Sequence, residues 1–324
     1  MVSLLVPIYG VEQCIATCAE SLFGQTYESL EYIFVDDCTP DRSMDVLQQC
    51  LDRYPHRREQ VRIIHHQQNR GLGAARLTAL QAATGVFVMH VDSDDYLATD
   101  AVERLMRRQQ ETGADIVDGA FQEFNNGTEG SLRLFLPYHG HRDDYLKLLL
   151  AQNTLPHQIW GRLIRRTLFT KHAILPIEGV NQAEDYALVP RLVFFARRAW
   201  VDEVVSYYRV DAAGTFKDGI SPRHVHSLLR ANQTVATFYV EHDKEGTFAH
   251  ALQLGLLKTY YLAVRAGVKP AELKAQIPAF SSRFLLRTGR LMLRCPYGDH
   301  AVRLLYLVLK RWLKIQLGYR QKSS

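Results

Sequence analysis

The chain has 324 residues, 47% of them hydrophobic and 23% charged, with a formal net charge of +5. This composition is ordinary for a globular protein of one large or two smaller domains, and it excludes a collagenous or low-complexity chain. No apolar run approaches the roughly 18 residues of a bilayer span.

The N-terminus lacks the basic segment of a secretory leader and breaks at Pro7. The five cysteines are odd in number and show no paired metal-ligand spacing, which fits a reducing, cytoplasmic compartment. Val2–Pro7 reads as a short apolar strand, and Val11–Phe23 as a helix closed by Gly24. Glu31–Asp36 is a second buried strand ending in Asp36-Asp37. Pro40 and Asp41 open a helix whose apolar face carries Met44, Val46, Leu47, Cys50 and Leu51. Val61–His65 is a third strand, Asn69–Gly73 a turn, and Ala74–Ala83 a helix. Val86–Val91 is a fourth strand, running directly into Asp92, Ser93, Asp94 and Asp95. Asp100–Glu111 is helical and Ala114–Phe121 another strand.

Strands alternating with helices predict an α/β fold with a mostly parallel sheet. Its carboxyl edge, where ligands bind in such sheets, would gather Pro7–Tyr9, Asp36–Asp37 and Asp92–Asp95. Three carboxylates so close repel one another. They are tolerable when solvated, when Asp94 or Asp95 caps the next helix, or when they hold a cation. Gly71-x-Gly73 is either a phosphate-binding turn or simply a tight one.

Five stretches in order then resemble a known family: Val2–Tyr9, Ser21–Thr26, Ile33–Asp37 with Thr39 and Asp41, Asn69–Arg76, and Asp92–Asp95. They are similar to the inverting family-2 glycosyltransferases of the GT-A fold, of the bacterial cell-surface polysaccharide type. The resemblance implies a nucleotide-diphospho-sugar donor, UDP-linked, and Mg²⁺ or Mn²⁺. By position it implies that Pro7 and Tyr9 line the base pocket, that Asp36 accepts from the base with Asp37 close by, and that Arg76 lies near the diphosphate. Asp92 would contact ribose with Ser93 beside it, Asp94 would ligate the cation, and Asp95 would support the site. Leu77 and Ala79 stand where the family often has Asn and Gly. A hard cation suits this chemistry, since it neutralises the leaving diphosphate.

Further along, Ile159–Arg165 resembles a Trp-x-Lys-Leu segment of bacterial members, with Arg162 in place of Lys. Trp160 is either a stacking platform for an acceptor sugar or a core residue, and Arg162 a candidate phosphate contact. Asn181–Tyr186 opens a helix that contains Pro190. Acids at a helix start are favoured by the dipole alone, but the family carries a Glu-Asp pair at this interval. It implies Asp185 as general base and Glu184 as a contact to sugar hydroxyls. Val201–Val210 is a strand followed by a polar loop. Arg209 and Lys217 are either diphosphate contacts or solvated charges.

From His224 the pattern is largely helical: Val225–Tyr239, Thr247–Val264, Pro270–Ile277, Phe284–Leu293 and Asp299–Leu317. Residues 282–324 hold ten Lys or Arg and one acid, a local net of +9 that leaves −4 for the remainder. In the last segment Arg303, Lys310 and Lys314 share one side. Leu305, Val308, Trp312 and Ile315 lie opposite, with Leu304 at the border, and Tyr306, Trp312 and Tyr319 suit a headgroup boundary. This reads as an interfacial helix drawn to anionic lipid, the alternative being a helix packed on the body. No nucleic-acid recognition motif accompanies the charge.

The expected organisation is a catalytic domain over 1–215, with donor half 1–115 and acceptor half 116–215, followed by a helical region over 216–324. The expected activity is metal-dependent sugar transfer to a glycan or lipid-linked oligosaccharide at the inner face of the cytoplasmic membrane. The alternatives are a nucleotidyltransferase, which should carry a Gly- and Arg/Lys-rich loop where this chain has Tyr9-Gly-Val-Glu-Gln, and a catalytically silent sugar-nucleotide-binding module.

Overall fold

The computed structural model describes residues 1–125, 133–152, 155–210, 222–269, 272, 273, 275, 287 and 298–317. Four strands form its first half: β1 (Val2–Ile8), β2 (Leu30–Asp36), β3 (Val61–His65) and β4 (Phe87–His90). They are linked by helices α1 (Ile15–Phe23), α2 (Ser43–Asp52) and α3 (Leu72–Ala82). All three pairings among these strands are parallel, in spatial order β3-β2-β1-β4. The register Ile8↔Asp36 puts the ends of β1 and β2 side by side.

The second half makes the sheet mixed rather than mostly parallel. After β5 (Tyr96–Leu97) and α4 (Ala101–Thr112) come β6 (Ile116–Phe124), β7 (Leu134–Phe135) and α5 (Arg142–Leu150). Then follow β8 (Arg162–Arg165), α6 (Thr167–Lys171), α7 (Glu184–Phe195) and β9 (Arg198–Arg209). β8 lies antiparallel between β4 and β6, and the order continues β6-β9-β5, with β7 beside β6. The segment read as Trp160-Gly-Arg162-Leu is thus the approach to an internal strand.

Strands β1, β2 and β4 serve two cores because side chains alternate across a sheet. Leu4, Val6, Tyr32 and Phe34 face α1, α2 and α4. Leu5, Ile33, Val35 and Val88 face α3, α5, α7 and the C-terminal helices α8 (Pro222–His242), α9 (Ala249–Arg265) and α10 (Gly298–Gln316). Val225, Leu256 and Val302 belong to that second cluster, so the helical region shares a core with the sheet. The boundary expected near 215 falls outside the described residues, as do most of 270–277 and 284–293. Pro190 lies inside α7, which continues through it to Phe195.

Candidate active site

The acidic turn follows β4. Asp95 N–H donates to the Asp92 carbonyl at 3.1 Å, closing a tight turn. The next element is the short strand β5, and Asp100 occupies the N-cap of α4. Neither Asp94 nor Asp95 therefore caps the following helix. Asp95 instead accepts from the Arg209 backbone N–H at 2.8 Å, and Arg209 Nε donates to the Asp94 carbonyl at 3.0 Å. β9 pairs with β5 and stacks Tyr207 on Tyr96 at 4.5 Å. Arg209, an open choice between diphosphate contact and solvated charge, is a buried brace of the turn. Lys217 lies outside the described residues.

The electrostatics of this turn are strained. Burial, then the Asp92 charge, pushes the Asp94 carboxyl up to about 6. Burial, then Asp92 and Asp94, pushes Asp95 up to about 9. Asp95 Oδ2 is buried without a partner, and Ser93 is buried between the two carboxylates that flank it. This is the donor set a divalent cation would relieve: hard carboxylate oxygens, short of positive charge, one of them orphaned. Among the described residues no cage of three or more His, Cys, Asp or Glu is formed. A Mg²⁺ that keeps waters and shares phosphate oxygens needs no such cage, so the residues present fit the ion.

At the neighbouring strand ends, Tyr9 is exposed and Pro7 buried within β1. Asp36 accepts from Thr39 N–H at 2.8 Å and meets His65 Nδ1 at 2.9 Å. Asp37 makes a set of bonds within the chain. It is 3% exposed. It accepts from the backbone N–H groups of Arg70 at 2.9 Å and Gly71 at 2.7 Å, and meets His66 Nδ1 at 2.6 Å. It thereby fixes the turn that starts α3.

That turn brings in the distant acids. Gly71 has φ +85°, in the region that favours glycine. Gly73 N–H donates to Asn181 Oδ1 at 3.1 Å. The two glycines let the backbone approach residues 177–181, which makes them a docking contact of α3. Three residues past Asn181, α7 begins at Glu184, entered through Ala183 at φ 58°.

Arg76 of α3 sits between the two acid groups and is 1% exposed. Its Nη2 donates to Asp92 Oδ1 at 2.7 Å; its Nη1 donates to Glu184 Oε1 at 3.0 Å and Asp185 Oδ1 at 2.5 Å. It is thus a buried link between the acidic turn and the Glu184–Asp185 pair, rather than a solvated helix charge. Burial works against its charge, and Asp185, Asp92 and Glu184 outweigh burial and hold it protonated. Burial pushes both Glu184 and Asp185 up, with Arg76 countering.

Two residues stand elsewhere. Trp160 is 7% exposed, stacked on Tyr208 at 5.3 Å and edge-on to Phe121 at 4.8 Å. Its packing is that of a core aromatic. Arg162 donates to Asp118 Oδ1 at 2.5 Å and to the Gln158 carbonyl at 2.7 Å, inside a buried ion cluster. The Asn181 contact and the role of Asp37 were absent from the sequence reading; an Asn just ahead of the Glu-Asp pair was the available signal.

The match to a family model decides the affiliation. Residues 3–172 match the model described as glycosyl transferase family 2. The chain belongs to this family. It is a glycosyltransferase of the inverting, GT-A type, which removes the nucleotidyltransferase alternative. The putative glycosyltransferase EpsH of Bacillus subtilis is 31% identical over 247 residues, 75% of this chain and 70% of the relative. A poly(ribitol-phosphate) beta-glucosyltransferase of Bacillus spizizenii is 36% identical over 201 residues, 57% of this chain and 31% of the relative. Among solved structures, residues 1–349 of S. aureus TarS in complex with UDP align with TM-score 0.66 at 18% identity, covering 99% of this chain and 93% of that one.

Proposed function

We propose that this family-2 enzyme moves a sugar from a UDP-sugar to a hydroxyl of a glycan or lipid-linked acceptor, at the inner face of the cytoplasmic membrane, with a divalent cation. The observation that carries this reading is the pair of acid groups facing one another across Arg76: a charge-starved turn on one side, a buried Glu-Asp pair on the other. The relative that glucosylates poly(ribitol-phosphate) supports a hydroxyl-rich envelope polymer as the acceptor class.

In this reading Pro7, Tyr9 and Asp36 border the nucleoside, Asp92 meets the ribose, and Asp94 holds the cation beside Asp95. The cation, when bound, neutralises charge that grows on the departing diphosphate. Asp185 takes the proton of the acceptor hydroxyl as its oxygen bonds to the anomeric carbon. The bond from that carbon to the diphosphate breaks, and the centre inverts. A carboxyl raised by burial is a better base near neutral pH than an exposed one. In the same reading Glu184 binds sugar hydroxyls.

A panel of UDP- and GDP-sugars, followed by nucleotide release with Mg²⁺, Mn²⁺ or chelator, tests the proposal. One UDP-sugar should turn over, and chelator or Asp94→Ala should abolish the turnover. Undiminished release by Asp94→Ala would remove the cation from that carboxylate.

A further inference from the structure

Helix α10 has two apolar faces, and among the described residues only one is covered. Val302, Tyr306 and Leu313 are buried against the body, with Leu309 and Leu317 packed beside them. The Tyr306 hydroxyl donates to the Gln152 carbonyl at 2.8 Å and lies 3.2 Å from the Ala151 carbonyl. The headgroup position expected for Tyr306 is therefore wrong: this ring anchors the helix to the protein. The helix does pack on the body, but that packing leaves a second stripe in solvent. Leu304 is 63% exposed, Leu307 47%, Val308 56%, Trp312 48% and Ile315 69%.

At about 100° per residue, positions 304, 308, 312 and 315 fall within one narrow sector of the helix. Leu307 lies to one side of it. Arg311, Lys314 and Arg303 run along that same side, between the stripe and the buried seam. A helix that met only water on its outer side would carry polar residues there. Here the outer side is itself amphipathic.

We propose that this stripe, edged by Arg303, Arg311 and Lys314, is a docking surface for an anionic phospholipid bilayer. The apolar side chains would enter the acyl boundary while the cations stay at the level of the lipid phosphates. Charge complementarity favours lipid over a protein partner: residues 282–324 carry ten basic residues against one acid. Five side chains along one helix also fall well short of the ~800 Å² per partner of a stable protein interface. The proposal rests on the reading of a lipid-linked acceptor for its biological sense, while its test needs no turnover.

The test uses the full chain and two vesicle preparations, phosphatidylcholine alone and phosphatidylcholine mixed with phosphatidylglycerol. The wild type should sediment with the anionic vesicles, less so as salt rises, and stay in solution with the neutral ones. Leu304→Glu combined with Ile315→Glu alters two solvent-exposed positions. That variant should bind anionic vesicles at least about tenfold more weakly, with unchanged melting temperature and nucleotide release. Equal sedimentation of variant and wild type, equal binding to neutral vesicles, or no binding at all would each overturn the proposal. So would a concentration-dependent dimer that the double variant abolishes without any vesicle binding by the wild type. Nucleotide release measured on the same samples separates the two readings. Release without vesicle binding removes the docking surface and leaves the transferase; vesicle binding without release does the reverse.

Discussion

Two of the buried arginine–carboxylate clusters among the described residues have opposite charge ratios. Arg76 meets three carboxylates, Asp92, Glu184 and Asp185. Asp118 meets two guanidiniums, Arg162 on one oxygen and Arg198 on the other. In the second cluster burial raises the carboxyl, but the two arginines outweigh it and hold Asp118 below the usual range. Arg198 also lies 3.6 Å over the Tyr145 ring. In the first cluster the carboxylates outnumber the cation, and Glu184 and Asp185 stay raised. The difference separates structure from chemistry. A carboxylate held low is a brace; carboxylates held high are poised to take a proton or a cation.

Four experiments press on that contrast. The largest effect is expected for Asp185→Asn. It should lower transfer by about 10³-fold, within the range of a lost general base, while donor binding persists. Transfer rate and donor affinity on the same preparation check it, and surviving transfer would place the base elsewhere. In the other cluster, Asp118→Asn leaves two buried guanidiniums without a counter-charge. It should cost about 3–5 kcal/mol of stability, as removal of one partner of a buried pair does, measured by urea unfolding. A neutral result would mean that the cluster is wetter than its burial indicates.

His90 adds a pH arm, because both ring nitrogens are buried without partners beside the Arg76 cluster. Burial, then the Arg76 charge, lowers it to about 3. A depressed folded value means stability is fully present above the unfolded value of about 6.5 and is lost as pH falls toward 3. Between pH 7 and 4.5 the His90 contribution is a loss of about 2–3 kcal/mol. The raised Asp94, Asp95 and Glu184 act in the opposite direction over the same range. The His90 part is therefore read as the difference in the pH dependence of the urea midpoint between wild type and His90→Phe. The smallest effect has the opposite sign. Asp94 is raised, so the stability it contributes is present below its unfolded value of about 3.9 and is lost as pH rises toward about 6. Asp94→Asn should then stabilise the cation-free protein by about 1–2 kcal/mol at pH 7 while abolishing turnover. A lower melting temperature in that variant would contradict the charge imbalance.

The donor half was legible because its signals are local. Val61–His65 is the third strand to the residue, and the acids that follow β2 and β4 stand in plain sequence. The mixed sheet was not legible: β8 is only four residues long, buried and without alternation, and it enters the sheet from far along the chain. The site was half-legible for the same reason. Asp92, Asp94 and Asp185 could be named singly, but the link through Arg76 spans 108 and 109 residues of sequence. No periodicity encodes such a contact. Trp160 and Arg162 resemble a family segment, and only the structure shows the Trp160 ring packed on Tyr208 and Phe121 and Arg162 paired with Asp118. In α10 the helical spacing revealed the charged and apolar sides, yet Tyr306 could not be assigned to the body without its acceptor carbonyls.

Gly73 carries one further consequence. A methyl group on its Cα would lie 2.3 Å from the Ile177 carbonyl and 2.7 Å from that of Val180. The contact is backbone against backbone, with no rotamer able to yield. α3 carries Arg76, and the opposing segment leads into Glu184 and Asp185. The gap between the acid groups therefore works as a gauge block, machined by main-chain packing during folding. Even an alanine at position 73 would widen it, moving the base relative to the leaving-group side without touching a single charged residue.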